Sequence, residues 1–149
     1  MDGYTASSYG DRFADVYDDW YSEISDSART GEFVDSSSDG VILELGSGTG
    51  RLLAPLAERD RQVIGLDASL QMLARSSAAL PDVAVVGADM TRLSVRTGSV
   101  GCVFVAYNTL FNVPSVDGQA AVFAEAARVL TAEGCLIIEA FVAVDTEAT

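Results

Sequence analysis

Glu44, Gly46, Gly48, Gly50 and Asp67 are the residues whose types and spacing first suggest chemistry. The first four close the stretch Val41-Ile42-Leu43-Glu44-Leu45-Gly46-Ser47-Gly48-Thr49-Gly50. Its apolar, partly β-branched opening reads as a buried strand. Residues 51–59 read as a helix with Leu52, Leu53, Leu56 and Ala57 on one face. Strand, glycine loop and helix begin a βαβ unit. Glycine lacks a Cβ and tolerates positive φ, so a ligand can approach the loop closely. The free N–H groups of the helix start add donors aimed at the same place. Asp67 ends the next apolar run, Gln62-Val63-Ile64-Gly65-Leu66-Asp67. An acid at the tip of the second strand is placed to accept hydrogen bonds from both ribose hydroxyls of an adenosine. The alternatives are a plain glycine turn and a solvent-facing strand-end aspartate.

The glycine spacing narrows the ligand. A dinucleotide fingerprint has the pattern G-x-G-x-x-G. Here Arg51 stands where its third glycine would be, and the match is G-x-G-x-G. With Glu44 two residues before Gly46, the string E-L-G-S-G-T-G resembles motif I of class I S-adenosylmethionine-dependent methyltransferases.

Composition removes several other chemistries. The chain has 149 residues, no histidine, and nine basic residues that are all arginine. Histidine bases, histidine metal ligands, Schiff-base lysines and Ser-His-Asp triads are therefore absent. A conventional P-loop lacks its lysine. Cys102 and Cys135 alone do not make a zinc site, and no metal is expected. The net charge of −13 argues against a nucleic-acid face, which needs a basic patch. A negative field suits a cationic sulfonium. The sequence shows no membrane-length apolar run and no basic-then-apolar leader. Both cysteines fall in expected strands and read as small buried apolar residues. A reducing, cytoplasmic setting is expected.

The elements that must position these residues follow in order. Residues 1–40 form an acidic leader with ten Asp or Glu and two Arg. Phe13, Val16, Tyr17, Trp20, Tyr21 and Ile24 recur at helical spacing, which predicts one amphipathic helix over residues 11–29. Residues 35–40 read as a polar linker. Residues 41–149 read as one Rossmann-like domain. Ser69 caps a helix over residues 70–80, with Leu70, Leu73, Ala74 and Ala78 toward the core and Met72 near the ligand. Val83 to Gly87 is the third strand, and Val100 to Ala106 the fourth. Ser115 caps a helix to about Leu130, with Val122, Phe123, Ala126, Ala127 and Leu130 inward, which Gly134 stops. Cys135 to Val142 is the fifth strand, read as buried. The expected fold is α/β, a doubly wound parallel sheet of order 3-2-1-4-5, with a crevice where the order reverses between strands 1 and 4.

Further strings carry the same family resemblance. Tyr17-Asp18-Asp19-Trp20-Tyr21 resembles the tyrosine-rich N-terminal segment of small-molecule methyltransferases, which lies over the cofactor as a lid. Asn108-Thr109-Leu110-Phe111-Asn112 resembles methyltransferase-like proteins of actinomycete type. The resemblance implies that S-adenosylmethionine is held by Tyr17, Tyr21, Glu44, Gly46, Ser47, Gly48, Gly50, Asp67, Ala68, Met72, Asp89, Met90, Tyr107 and Asn108. In it Asp67 takes the ribose, Asp89 and Met90 the adenine, and Tyr107 and Asn108 the methionine part. S-adenosylhomocysteine is the product. No residue is singled out as a catalyst.

The chain stops right after strand five, where the family usually continues with further helices and strands. The expectation is thus a truncated class I methyltransferase fold whose fifth-strand edge is covered by a second copy or by the tail, or is left bare because the chain is a fragment. The implied function is methylation of an oxygen, nitrogen or carbon of a small metabolite, in the manner of natural-product biosynthesis. Two alternatives stay open on the same fold. One is a protein that holds S-adenosylmethionine or S-adenosylhomocysteine without turnover, and the other is a non-methylating cyclase.

Overall fold

A computed structural model of the chain describes residues 5–17, 19 and 26–141. Helix α1 spans Ser8–Phe13 and helix α2 spans Ser27–Ser37. Strand β1 (Ile42–Leu45), helix α3 (Leu53–Ala57), strand β2 (Val63–Asp67), helix α4 (Leu70–Ala79) and strand β3 (Ala84–Gly87) follow. Strand β4 (Val100–Val105), a 3₁₀ turn (Thr109–Asn112), helix α5 (Val116–Val129) and strand β5 (Leu130–Ile138) complete the order. The five strands form one parallel sheet of order β3-β2-β1-β4-β5. This is the expected order, with its reversal between β1 and β4.

Alternation along the strands builds two cores, because successive side chains leave opposite faces. Leu43, Leu45, Leu66, Val103 and Val105 pack with Val122, Ala126 and Val129 of α5. Ile42, Val63, Cys102 and Phe104 pack on the other face with Val34 of α2 and with Leu52, Leu53 and Leu56. β1 and β4 are buried along their whole lengths. They read in sequence as continuous apolar runs because both of their faces are covered.

Several expectations change. The single helix over residues 11–29 does not form. α1 ends at Phe13, and Asp26 leaves helical geometry to cap α2, its side chain accepting the Arg29 N–H at 3.0 Å. α2 runs through the start of the stretch read as a linker. Gly31 is the reason it can dock there, since a Cβ would lie 3.1 Å from the Pro55 ring carbons. Arg61 fixes the helix end, donating to Asp35 Oδ1 at 2.8 Å and to the Ser38 carbonyl at 2.6 Å. Trp20, Tyr21 and Ile24 lie outside the described residues.

The inward faces of α4 and α5 also differ. Met72, Leu73 and Ser76 are buried on α4, whereas Leu70 is 72% exposed and Ala74 and Ala78 face outward. Ser69 sets this face by capping Met72 N and packing under α1. On α5, Phe123 and Ala127 point outward and Val129 takes the inner place.

Gly134 does not stop α5. The helix ends at Val129 and β5 begins at Leu130. The Ser99 N–H binds the Val129 carbonyl at 2.8 Å, so the helix end is consumed directly by the sheet. Val100 pairs with Leu130 and Cys102 with Cys135, which leaves residues 131–134 as a bulge. Gly134 fits the bulge because a Cβ would lie 3.0 Å from the Gly101 carbonyl oxygen. β5 is half-buried along its second part, an edge strand rather than a buried one.

Candidate functional site

The site forms where the C-terminal ends of β1, β2 and β4 meet. The loop after β1 is tied to β2, since the N–H groups of Gly46 and Ser47 both donate to the Leu66 carbonyl, at 2.7 and 3.0 Å. Its three glycines do different work. Gly46, at φ +73°, admits Thr109, because a Cβ there would lie 2.1 Å from Thr109 Cγ2. Gly50, at φ +87°, admits α4, with Ser76 Oγ 2.5 Å from the same imagined atom. Gly48 faces open space except for the Tyr17 ring at 3.9 Å. Gly48 is therefore the place where the backbone itself meets the cleft.

Asp67 joins the loop to the next helix. Its Oδ2 accepts the Gly48 N–H at 2.9 Å and its Oδ1 accepts the Ser69 N–H at 2.8 Å. Burial pushes its carboxyl above the usual range, against the N–H donors of Ser69, Gly48 and Ala68. Ser69 Oγ donates to Asp11 Oδ1 at 2.7 Å, which brings α1 over the cleft. That bond, with a smaller one from Ser7, holds the Asp11 carboxyl below its ordinary range. Gly10 sits against Ser69 and Met72, where any side chain would collide. Arg75 reaches Asp15 at 2.5 Å on the exposed side of the same contact.

Two neighbouring cavities lie beneath. The larger, about 60 Å³, is lined by Tyr9, Gly10 and Tyr17 from the N-terminal side. Gly46, Gly48, Asp67, Ala68, Met72, Ala88 and Met90 form its floor, and Thr109, Asn112 and Val113 close it. The smaller is lined by Tyr17, Glu44, Gly46, Ser47, Arg51, Tyr107 and Thr109. Tyr17, Gly46 and Thr109 border both. In the smaller one, Glu44 Oε2 and Ser47 Oγ are buried without a hydrogen-bond partner among the described residues. Burial pushes the Glu44 carboxyl well up; the Arg51 cation opposes this and the Asp67 charge adds to it. Arg51 lies 4.3 Å over the Tyr107 ring and donates to Ser27 Oγ at 2.9 Å. Such a stack holds a guanidinium in one plane.

The expected site residues separate by position. Tyr17, Gly46, Gly48, Asp67, Ala68, Met72 and Met90 line the larger cavity, and Glu44, Ser47 and Tyr107 the smaller. Gly50 lines neither and supports α4. Asp89 is exposed, its Oδ1 accepting from Thr91 N and Thr91 Oγ1, both at 2.8 Å. Asn108 is exposed as well, and its Oδ1 accepts the Phe141 N–H beyond β5. Tyr21 lies outside the described residues. Sequence reasoning missed Tyr9, Gly10, Arg51, Thr109 and Asn112. Thr109 and Asn112 stood inside a string already singled out, and Arg51 in the glycine's place. Among the described residues no group of three or more His, Cys, Asp or Glu could hold a metal, and no helix is long and apolar enough to cross a membrane.

Comparison with known proteins gives the family and the fold. Residues 42–134 match the family described as methyltransferase domain. A curated relative, the demethylmenaquinone methyltransferase of Beutenbergia cavernae, is 33% identical over 100 residues, 67% of this chain and 40% of its own length. The solved CcbJ methyltransferase of Streptomyces caelestis superposes with a TM-score of 0.81 at 32% identity, over 91% of this chain and 58% of that one. DesVI of Streptomyces venezuelae superposes with a TM-score of 0.73 at 25% identity, over 84% and 56%. The chain thus spans less than two thirds of the length of these relatives. With its strand order, its glycine loop after β1 and its acid at the tip of β2, the chain belongs to the family of class I S-adenosylmethionine-dependent methyltransferases.

Proposed function

We propose that this chain binds S-adenosylmethionine across the two cavities and transfers its methyl group to an oxygen, nitrogen or carbon of a small metabolite. The observation that carries the proposal is Glu44 Oε2, buried and without a hydrogen-bond partner among the described residues, in the cavity it shares with Arg51 and next to the one lined by Asp67. A buried carboxylate oxygen without a partner is costly, and a ligand ammonium supplies one. The methionine end of the cofactor carries such an ammonium together with a carboxylate. Arg51 and Ser47 Oγ match that carboxylate, and Glu44 matches the ammonium. Asp67 takes the ribose hydroxyls, and Met72, Ala88 and Met90 give the adenine an apolar bed. Asp89 contributes Oδ2 to the adenine amino group, its Oδ1 being held in its own turn. Gly50 and Asn108 act at one remove, the first by seating α4 and the second by tying the loop after β4 to the end of β5.

When bound, the cofactor supplies a methyl group on a sulfonium, already a good leaving group. The protein's part is to hold the acceptor in line with it and to keep water out. Tyr9 and Tyr17 roof the larger cavity, and residues 1–40 act as the lid of the domain formed by residues 41–149. If the acceptor must lose a proton, a tyrosine hydroxyl or a carboxylate takes it, since the chain has no histidine or lysine. Cys102 and Cys135 are free thiols, in keeping with residence in a reducing cytoplasm.

The test is release of S-adenosylhomocysteine from S-adenosylmethionine, assayed against panels of amine, phenol and activated-carbon acceptors. Acceptor-dependent release that Asp67→Ala abolishes is the expected result. A folded chain that binds the cofactor and releases no product with any panel would overturn methyl transfer and leave binding alone.

A further inference from the structure

Cys102 of β4 and Cys135 of β5 are register partners in the parallel sheet. They form the first regular pair after the bulge at residues 131–134. Neighbouring strands lie roughly 4.7–4.9 Å apart. That separation is inside the Cα range of about 4.4–6.8 Å found for disulfides. Partners on adjacent strands direct their side chains to one face, and both cysteines belong to the core under α2. Their surroundings differ. Cys102 is fully buried and its thiol donates to the Val103 carbonyl at 3.7 Å; burial, with the neighbouring Cys135 thiol, pushes it up to about 12. Cys135 is half-buried, and its thiol donates to the Ser37 carbonyl at 3.6 Å.

We propose that Cys102 and Cys135 are an oxidisable pair that closes to a disulfide across β4 and β5. A low-molecular-weight disulfide such as oxidised glutathione is the oxidant. Cys135 reacts first, because it is the one nearer the surface. Its thiolate attacks one glutathione sulfur, the S–S bond breaks, and one glutathione leaves as a thiolate that takes up a proton. Cys102 then gives its proton to solvent, attacks Cys135 Sγ and displaces the second glutathione. Two protein thiols are oxidised and one glutathione disulfide is reduced to two thiols. The second step is the slow one, since the attacking thiol is buried and holds its proton.

The bond would pin the strand that supports the cleft wall. Beyond Cys135, the Glu139 N–H donates to the Val105 carbonyl at 2.8 Å and the Asn108 N–H to the Glu139 carbonyl at 3.2 Å. The end of β5 therefore holds the Tyr107–Asn108 turn in place. The inference does not depend on the proposed function, because its readout needs no cofactor.

The test is oxidation of the folded full chain with oxidised glutathione, followed by non-reducing tryptic mapping. Cleavage after Arg96 and Arg128 puts Cys102 in residues 97–128 and Cys135 in residues 129–149. The expected result is a linked pair of these peptides from a monomer, with both free thiols lost and both regained on adding dithiothreitol. Cys102→Ser should stop at a glutathione adduct on Cys135, and Cys135→Ser should remain unmodified. A wild-type chain that stops at the Cys135 adduct, or joins two copies through Cys135 while Cys102 stays free, overturns the proposal.

Discussion

The Gly48 N–H donates to Asp67 Oδ2 at 2.9 Å, so the glycine loop after β1 and the acid at the tip of β2 are one hydrogen-bonded unit. The Ser69 N–H on Asp67 Oδ1 extends the unit to the start of α4, and Ser69 Oγ extends it to Asp11 of α1. The groups proposed to hold the ribose are thereby preorganised before any ligand arrives. A buried acid maintained for binding has a cost in stability, and that cost is measurable.

Glu44 carries it most clearly. Its carboxyl is held well above the usual range, chiefly by burial. The folded chain therefore keeps a proton at pH values where the unfolded chain has released it. The sign follows: this group makes stability fall as pH rises from the ordinary carboxylate range up to the raised value, and the loss persists above it. Glu44→Gln should remove that slope. At neutral pH it should raise the melting temperature by about 2–4 °C, corresponding to about 1 kcal/mol. It should also weaken S-adenosylmethionine binding. A lower melting temperature at neutral pH would show that Glu44 is ionised and satisfied in the folded chain.

Gly46 and Thr109 give a second test. Gly46→Ala forces a side chain into φ +73° and onto Thr109 Cγ2. The expected loss is about 3 kcal/mol in urea unfolding, part backbone strain and part collision. Thr109→Ser in the same chain removes the struck methyl and should recover the steric part only. Full recovery, or none, would contradict this division.

Much of this frame was legible beforehand, for a physical reason. β1 and β4 are covered on both faces, so their sequences are plain apolar runs, and the glycines that follow β1 mark the loop without ambiguity. α2 was not legible. Its sequence is polar, and it is held by one buried valine, the fit of Gly31 on Pro55, and Arg61 reaching back to its end. None of these has a periodic signature. The faces of α4 and α5 were misread because spacing alone does not say which of two overlapping stripes packs inward; the contact of Ser69 with α1 decides it on α4. The α5–β5 junction has no loop to announce it. In the site, Glu44, Gly46, Ser47 and Gly48 of motif I line the cavities and Gly50 does not, whereas Asp89 and Asn108 have side chains engaged by backbone N–H groups that spacing cannot show.

Ser76 offers a test of packing around the loop. Its hydroxyl is buried and without a hydrogen-bond partner among the described residues, facing the bare Cα of Gly50. Ser76→Ala should leave stability unchanged or raise it by up to about 1 kcal/mol, because it removes an unsatisfied polar group. A loss larger than that in thermal unfolding would mean that the hydroxyl has a partner.

The contacts of α1 should rank in a definite order. Arg75 and Asp15 are exposed, at 42% and 91%, and a surface ion pair contributes little. Arg75→Ala should change amide exchange in α1 by less than about fivefold. Asp11→Ala removes the bond to Ser69 Oγ and should loosen α1 more. Gly10→Ala, whose Cβ would lie 2.5 Å from Ser69 Cβ, should displace the helix altogether. Hydrogen exchange over residues 8–13 reads all three, and an equal response to each would contradict the order.

The Gly48–Asp67 unit stands at the centre of the proposed S-adenosylmethionine site. Titration calorimetry of the 149-residue chain with S-adenosylmethionine, repeated on Asp67→Ala, tests it most directly. Micromolar binding by the first and none by the second is expected, with both chains folded by circular dichroism. Equal binding by the two chains, or no binding by a folded wild-type chain, would contradict it.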